Sequence, residues 1–139
     1  MKRKTSLPSF VREFAEPLSL RLREPRRFLQ IVTGARQVGK TTLVRQVLEG
    51  LDRPHRFASA DEPTLRDSAG LRAQWEAARL VAGESGSGAV LALDEIQNIG
   101  GWSETVKRLW DEDTADGLPL HVVLLGSAPL LVQAGLVES

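Results

Sequence analysis

Apolar residues fall into two kinds of pattern along the chain. Three stretches are nearly continuous: residues 28–33, with Phe28, Leu29, Ile31 and Val32; residues 89–93; and residues 120–126. Runs of this kind are what strands covered on both faces look like. A fourth stretch, residues 55–59, is shorter and weakly marked. Between these runs the apolar residues recur at helical spacing: Leu43, Val44, Val47, Leu48 and Leu51; then Leu71, Trp75, Ala78 and Ala82; then Trp102, Val106, Leu109 and Trp110. Gly50 or Pro54 ends the first of these helices. Pro63, preceded by Asp61 and Glu62, suits the first turn of the second, and Asp116-Gly117 turns the chain after the third. Ahead of the first strand, Phe10, Phe14 and Leu18 share a helical face from Ser9 onward, with Pro17 expected to bend or end that helix. The alternation of strands and helices predicts an α/β fold with a mostly parallel sheet.

The segment joining the first strand to its helix is Gly34-Ala35-Arg36-Gln37-Val38-Gly39-Lys40-Thr41-Thr42, which satisfies G-x-x-x-x-G-K-[ST], the P-loop or Walker A pattern. The glycines let the backbone curl round a di- or triphosphate with N–H groups pointing inward. Lys40 supplies a charge for the β- and γ-phosphates, and the Thr41 hydroxyl is placed to ligate Mg²⁺. The helix that follows turns its positive dipole end toward the same anion. Strand, glycine-rich loop and helix come in the order the motif requires, so residues 34–42 are read as the nucleotide-binding loop.

The second apolar run ends in Asp94-Glu95. A lone acidic pair is an ordinary strand end or helix cap. At the carboxyl end of a buried strand downstream of a P-loop, it reads as Walker B: Asp94 holds Mg²⁺ and Glu95 is the general base that activates water. The third run ends at Ser127, which would look toward the γ-phosphate; it is equally placed to cap a helix begun by Pro129, and the two roles are compatible. His55 and His121 have no metal-ligand spacing and read as structural.

Composition narrows the partners. Eighteen Lys and Arg balance eighteen Asp and Glu over 139 residues, which gives no bulk electrostatic case for nucleic acid. Arg21, Arg23, Arg26 and Arg27 cluster before the first strand; without interleaved aromatics they read as a solvated connector rather than a nucleic-acid patch. The absence of cysteine excludes disulfides and thiolate metal sites. The basic Met1-Lys2-Arg3-Lys4 has no apolar segment after it, and no run approaches a membrane span, so the expectation is a cytoplasmic protein without a membrane partner.

A P-loop, a strand ending Asp-Glu and a later strand ending in a small polar residue resemble the AAA superfamily of P-loop ATPases. Residues 34–43, Leu93-Asp94-Glu95-Ile96-Gln97, Trp102 and Leu124-Leu125-Gly126-Ser127 are similar to a prokaryotic group within it, in which the ATPase domain precedes a winged-helix-like region and a C-terminal domain of unknown function. The resemblance implies a three-layer P-loop fold, ATP and Mg²⁺ as ligands, Ser127 as sensor-1 residue, Arg36 and Gln37 as the group's P-loop insert and Gln97 as the companion of the Asp-Glu pair. Ala128 departs from the serine common there. The group continues past the position of Ser139 into an arginine-bearing segment and a fifth strand. The chain is therefore expected to hold a lead-in at residues 1–27 and an ATPase core at residues 28–139 that is incomplete at its C-terminus, with the Walker A strand unpartnered on its outer side.

The function expected is Mg²⁺-dependent ATP binding and hydrolysis that drives a conformational change. Lys40, Glu95 and Ser127 are its catalytic residues, residues 34–42 bind nucleotide, and Thr41 and Asp94 bind the metal. A non-hydrolysing ATP-dependent switch or scaffold and a P-loop small-molecule kinase are the alternatives; GTP lacks its base-reading motif. A protein partner or self-association fits this reading, and nucleic acid enters by family analogy alone.

Overall fold

A computed structural model of the chain describes residues 9–33 and 39–126, with the backbone alone for residues 9–15 and 64. Helix α1 (Ser9–Arg23) leads into strand β1 (Gln30–Thr33), helix α2 (Lys40–Glu49), strand β2 (His55–Ser59), helix α3 (Ser68–Glu84), strand β3 (Ala89–Asp94), helix α4 (Trp102–Asp116) and strand β4 (Leu120–Gly126). The strands form one parallel sheet in the order β1-β4-β3-β2. β3 and β4, at its centre, are buried along their whole length.

The pleat divides the core. Leu91 and Leu93 of β3 with Leu120, Val122 and Leu124 of β4 face α3 and α4, where Leu71, Trp75, Ala78, Val106 and Leu109 meet them. Val90, Ala92, Val123 and Leu125 face the other way, onto Leu43, Val44, Val47 and Leu48 of α2 and Leu18 and Leu22 of α1. This is the three-layer α/β arrangement that the alternating runs predict. Because side chains alternate along a strand, continuous apolar runs are needed to supply both faces at once.

Three sequence expectations are revised. β1 is half-buried rather than buried, because among the described residues it pairs on one side only, with β4. Pro17 does not end α1, which continues to Arg23; the packing of Leu18 and Leu22 onto α2 outweighs the missing N–H at Pro17. The second long helix begins at Ser68, not Pro63. Pro63 instead opens a separate 3₁₀ turn to Leu65, and its preceding Glu62 makes no side-chain cap. The cap is Asp67, whose Oδ1 accepts from the Gly70 N–H at 2.9 Å.

Of the arginines before β1, Arg21, Arg23 and Arg27 are exposed, as a solvated connector predicts, and Arg26 is half-buried. The Arg26 guanidinium lies 3.5 Å from the Trp110 ring centroid and donates to the Leu120 and Trp110 carbonyls and to Thr114 Oγ1. Arg53 donates to Leu22 O at 2.8 Å and Arg23 to Gly50 O, carbonyls at the ends of α1 and α2. Cations there oppose the negative ends of the helix dipoles.

At this same pole, Gly88 precedes β3 with φ +82°, and a Cβ there would run into the Pro119 carbonyl oxygen, which accepts from Ala89 N. Gly88→Ala is expected to destabilise the fold by about 2–3 kcal/mol through left-handed strain and overpacking, read as a lower denaturant midpoint at unchanged slope.

His121 is buried, with Nε2 2.8 Å from the Glu24 carbonyl. Burial pulls its pKa below the ordinary histidine value, Arg53 and Arg26 add to that, and the Glu24 contact opposes it. Above the unfolded value of about 6.5 both states are neutral; below it the unfolded chain takes up a proton that the native imidazole resists. Stability should therefore fall as pH drops below that value, and His121→Asn should flatten this dependence in denaturant titrations repeated across pH.

Candidate functional site

All four strands end at one pole. Ser59 lies opposite Asp94, Asp94 opposite Leu125, and Thr33 opposite Gly126, so the carboxyl ends of β2, β3, β4 and β1 are level. In an open parallel sheet this rim is where ligands sit. Gly39 takes the left-handed conformation, φ 79° and ψ 26°, and α2 starts at the next residue, so that Lys40 and Thr41 leave the helix's first turn beside the end of β3. Gly34, Ala35, Arg36, Gln37, Val38 and Ser127 lie outside the described residues; Thr42 is exposed on α2.

Two bonds join the segments that the sequence reading singled out separately. Lys40 Nζ lies 3.2 Å from Glu95 Oε2, with 5% and 9% of the two side chains exposed. Thr41 Oγ1 donates to Asp94 Oδ2 at 3.1 Å. The pairs are fifty-five and fifty-three positions apart in sequence, yet neighbouring residues of α2 meet neighbouring residues at the end of β3.

The carboxylates are held differently. Asp94 is the last residue of β3 and is buried. Its carboxyl is pushed up from the ordinary range chiefly by burial and in part by Glu95, while the Thr41 hydrogen bond, Lys40 and a backbone contact pull it down. Its second oxygen, Oδ1, is buried and has no hydrogen-bond partner among the described residues. A buried carboxylate with one oxygen unanswered is costly unless a cation or donor reaches it. Glu95 leads into a 3₁₀ turn, Ile96–Asn98, in the left-handed region at φ 55° and ψ 38°. It is the only non-glycine residue with positive φ among the described residues. Such a backbone costs on the order of 1–3 kcal/mol and persists where surrounding contacts impose it. Here Asn98 N bonds Glu95 O, Ala60 N bonds Asp94 O, and Gln97 Nε2 donates to Glu95 Oε1 at 2.7 Å.

Sequence reasoning named each of Lys40, Thr41, Asp94 and Glu95 but not how they pair. Gln97 entered only through the resemblance, since no periodicity marks a hydrogen bond between residues two apart in a turn. At the opposite pole a cavity of about 480 Å³ runs between Arg23, Arg26, Arg53, Pro119 and His121. It is far from the carboxyl ends of the strands, and its arginines already serve backbone carbonyls.

The AAA domain family matches residues 26–139. Among solved structures, a mutant RuvB from Thermogota maritima superposes with a TM-score of 0.55 at 20% identity, covering 94% of this chain and 41% of RuvB. A katanin structure concerned with self-assembly gives a TM-score of 0.51 at 21% identity, covering 93% of this chain and 43% of katanin. The chain thus spans less than half the length of either neighbour. At these identities the likeness speaks to fold. No curated protein matches the sequence. Among the described residues, no helix is long and apolar enough to cross a membrane.

Proposed function

The chain belongs to the AAA domain family, and from that premise we propose that it binds ATP at the carboxyl end of β1 and hydrolyses it to ADP and phosphate. The observation that carries this reading is the convergence of Lys40 and Thr41 on Glu95 and Asp94. A P-loop lysine and hydroxyl meet two buried carboxylates held differently, one with an unanswered oxygen and one by cation and amide. Paired acids whose environments differ in this way suit metal binding on one side and proton transfer on the other.

The residues present fit a magnesium ion. A hydroxyl and a carboxylate oxygen are hard ligands, and the buried, unanswered Asp94 Oδ1 favours a bound cation. Thr41 and Asp94 would hold it, and when bound it would neutralise charge on the β- and γ-phosphates. Lys40 binds the same phosphates, exchanging the Glu95 carboxylate for phosphate oxygens when nucleotide arrives. Glu95 then accepts a proton from water as the water oxygen bonds to the γ-phosphorus and the bond to the β-phosphate oxygen breaks, with ADP as leaving group. Residues 34–38 and Ser127 keep their expected parts, wrapping the phosphates and sensing the γ-phosphate.

The direct test is equilibrium ATP binding to wild type and Lys40→Ala with Mg²⁺. Removing one charge-assisted contact of about 1.5–3 kcal/mol is expected to weaken ATP by about 10–150-fold. A folded Lys40→Ala protein that binds ATP as the wild type does would sink the reading.

A further inference from the structure

Gln97 lies beside the site, and the hydrolytic scheme leaves it unused. It occupies the middle of the 3₁₀ turn after Glu95, is half-buried, and donates from Nε2 to Glu95 Oε1 at 2.7 Å. The orientation of its amide follows from chemistry, since an ionised carboxylate only accepts and the nitrogen must face it. The other end of the amide, Oε1, is buried without a hydrogen-bond partner among the described residues. A buried carbonyl oxygen left in that state destabilises the fold. Packing alone therefore does not favour glutamine here, because a methionine of the same length would fill the space with no orphaned oxygen. A polar group kept at a cost to the fold points to the contact it makes.

That contact bears on the weak point of the scheme. The other Glu95 oxygen pairs with Lys40, and Lys40 must turn to the phosphates when ATP binds. Glu95, on a left-handed backbone, loses that ion pair when the lysine turns. The Gln97 amide is neutral and is not drawn to phosphate, so its hydrogen bond need not break at that moment. We propose that Gln97 is a positioning residue for hydrolysis, holding the Glu95 carboxylate through its Nε2–Oε1 hydrogen bond while Lys40 is drawn to the nucleotide. The proposal rests on the assignment of Glu95 as the base.

Gln97→Met and Gln97→Leu, each alone and combined with Glu95→Gln, test it by phosphate release, equilibrium ATP binding and thermal unfolding. Misplacing a catalytic group by about 1 Å costs on the order of 10²-fold in rate, and a loss of kcat approaching that size is expected for either single variant. ATP affinity should be unchanged, and the melting temperature little changed, since the bond to Glu95 is lost together with the orphaned oxygen. In the Glu95→Gln background neither substitution should slow release further, because the group it positions is gone. Wild-type kcat in both single variants overturns the proposal. So does an equal loss in the Glu95→Gln background, or a fall in kcat that tracks weaker ATP binding and lower stability. A wild-type chain whose phosphate release does not depend on Glu95 overturns the hydrolytic reading itself, and the role of Gln97 with it.

Discussion

Glu95→Gln is expected to slow phosphate release by about 10²–10⁴-fold, the usual contribution of a positioned general base, without weakening ATP. The second half of this expectation separates base from ligand. Glu95 is an anion 3.2 Å from the ammonium that the phosphates need, so before nucleotide arrives it competes with them for Lys40. Glutamine keeps the shape and the hydrogen-bonding length but removes the charge. Lys40 is then held less firmly, and ATP should bind as tightly as to wild type or more so. Single-turnover phosphate release and equilibrium binding on the same samples read both quantities. Weaker ATP with unchanged turnover would make Glu95 a binding residue. A wild-type chain that binds ATP and releases no phosphate would instead favour a nucleotide-dependent switch, in which the Lys40–Glu95 pair reports occupancy without chemistry.

Asp113→Ala should give the largest loss of stability, about 3–4 kcal/mol, because it leaves the buried Trp75 N–H without its acceptor and takes a carboxylate from Arg79. Asp113 sits on α4, buried, with Oδ2 accepting from Trp75 Nε1 at 2.8 Å and Oδ1 2.7 Å from Arg79 Nε. Both partners come from α3, so a single carboxylate ties the two helices that cover one face of the sheet. Arg79 also reaches Glu76, Glu112 and the Leu109 carbonyl. Although burial opposes it, the Glu112 hydrogen bond and the fields of Asp113, Glu76 and Glu112 hold its guanidinium above the ordinary value. For Asp113 burial prevails and pushes the carboxyl up, against the pull of Trp75, Arg79 and Arg26. Ionising Asp113 is thus a net cost to the fold, while deleting it leaves the Trp75 N–H buried and unanswered.

Denaturant unfolding of Asp113→Ala, Trp75→Phe and the double variant apportions the effect, with a coupling energy of about 1–3 kcal/mol expected for a buried hydrogen bond to a charged group. Additivity of the two substitutions would show that the contact contributes nothing of its own. The loss from Asp113→Ala is a substantial share of the roughly 5–15 kcal/mol that holds a domain together. The variant should therefore also lose structure on modest heating.

Local features were legible in the chain alone. Continuous apolar runs marked β3 and β4, because a strand covered on both faces needs apolar residues at consecutive positions. Helical spacing marked α2, α3 and α4, with Trp75 in the core, where it is fully buried. Strand, glycine-rich loop, lysine and threonine are contiguous, so that candidate site was legible before any folding, as was the acidic pair at the end of β3. What fails at this level is also local: Pro63 and Asp67 are both acceptable helix starts, and only the packing of Leu65 and Leu71 into one core separates the 3₁₀ turn from the helix.

Contacts between distant positions emerge only in the folded chain. Strand order is not written in periodicity: the edge position of β1 among the described strands follows only from the family resemblance, and the level strand ends that bring Lys40 to Glu95 and Thr41 to Asp94 could not be read from the chain. The same holds for Arg26 on Trp110 and for Asp113 between Trp75 and Arg79, each a polar contact between residues tens of positions apart. Backbone geometry constrains neighbours within a few residues, and burial then selects among the distant pairings. A buried charge must find a partner, and which partner it finds depends on which helices lie on the same face of the sheet.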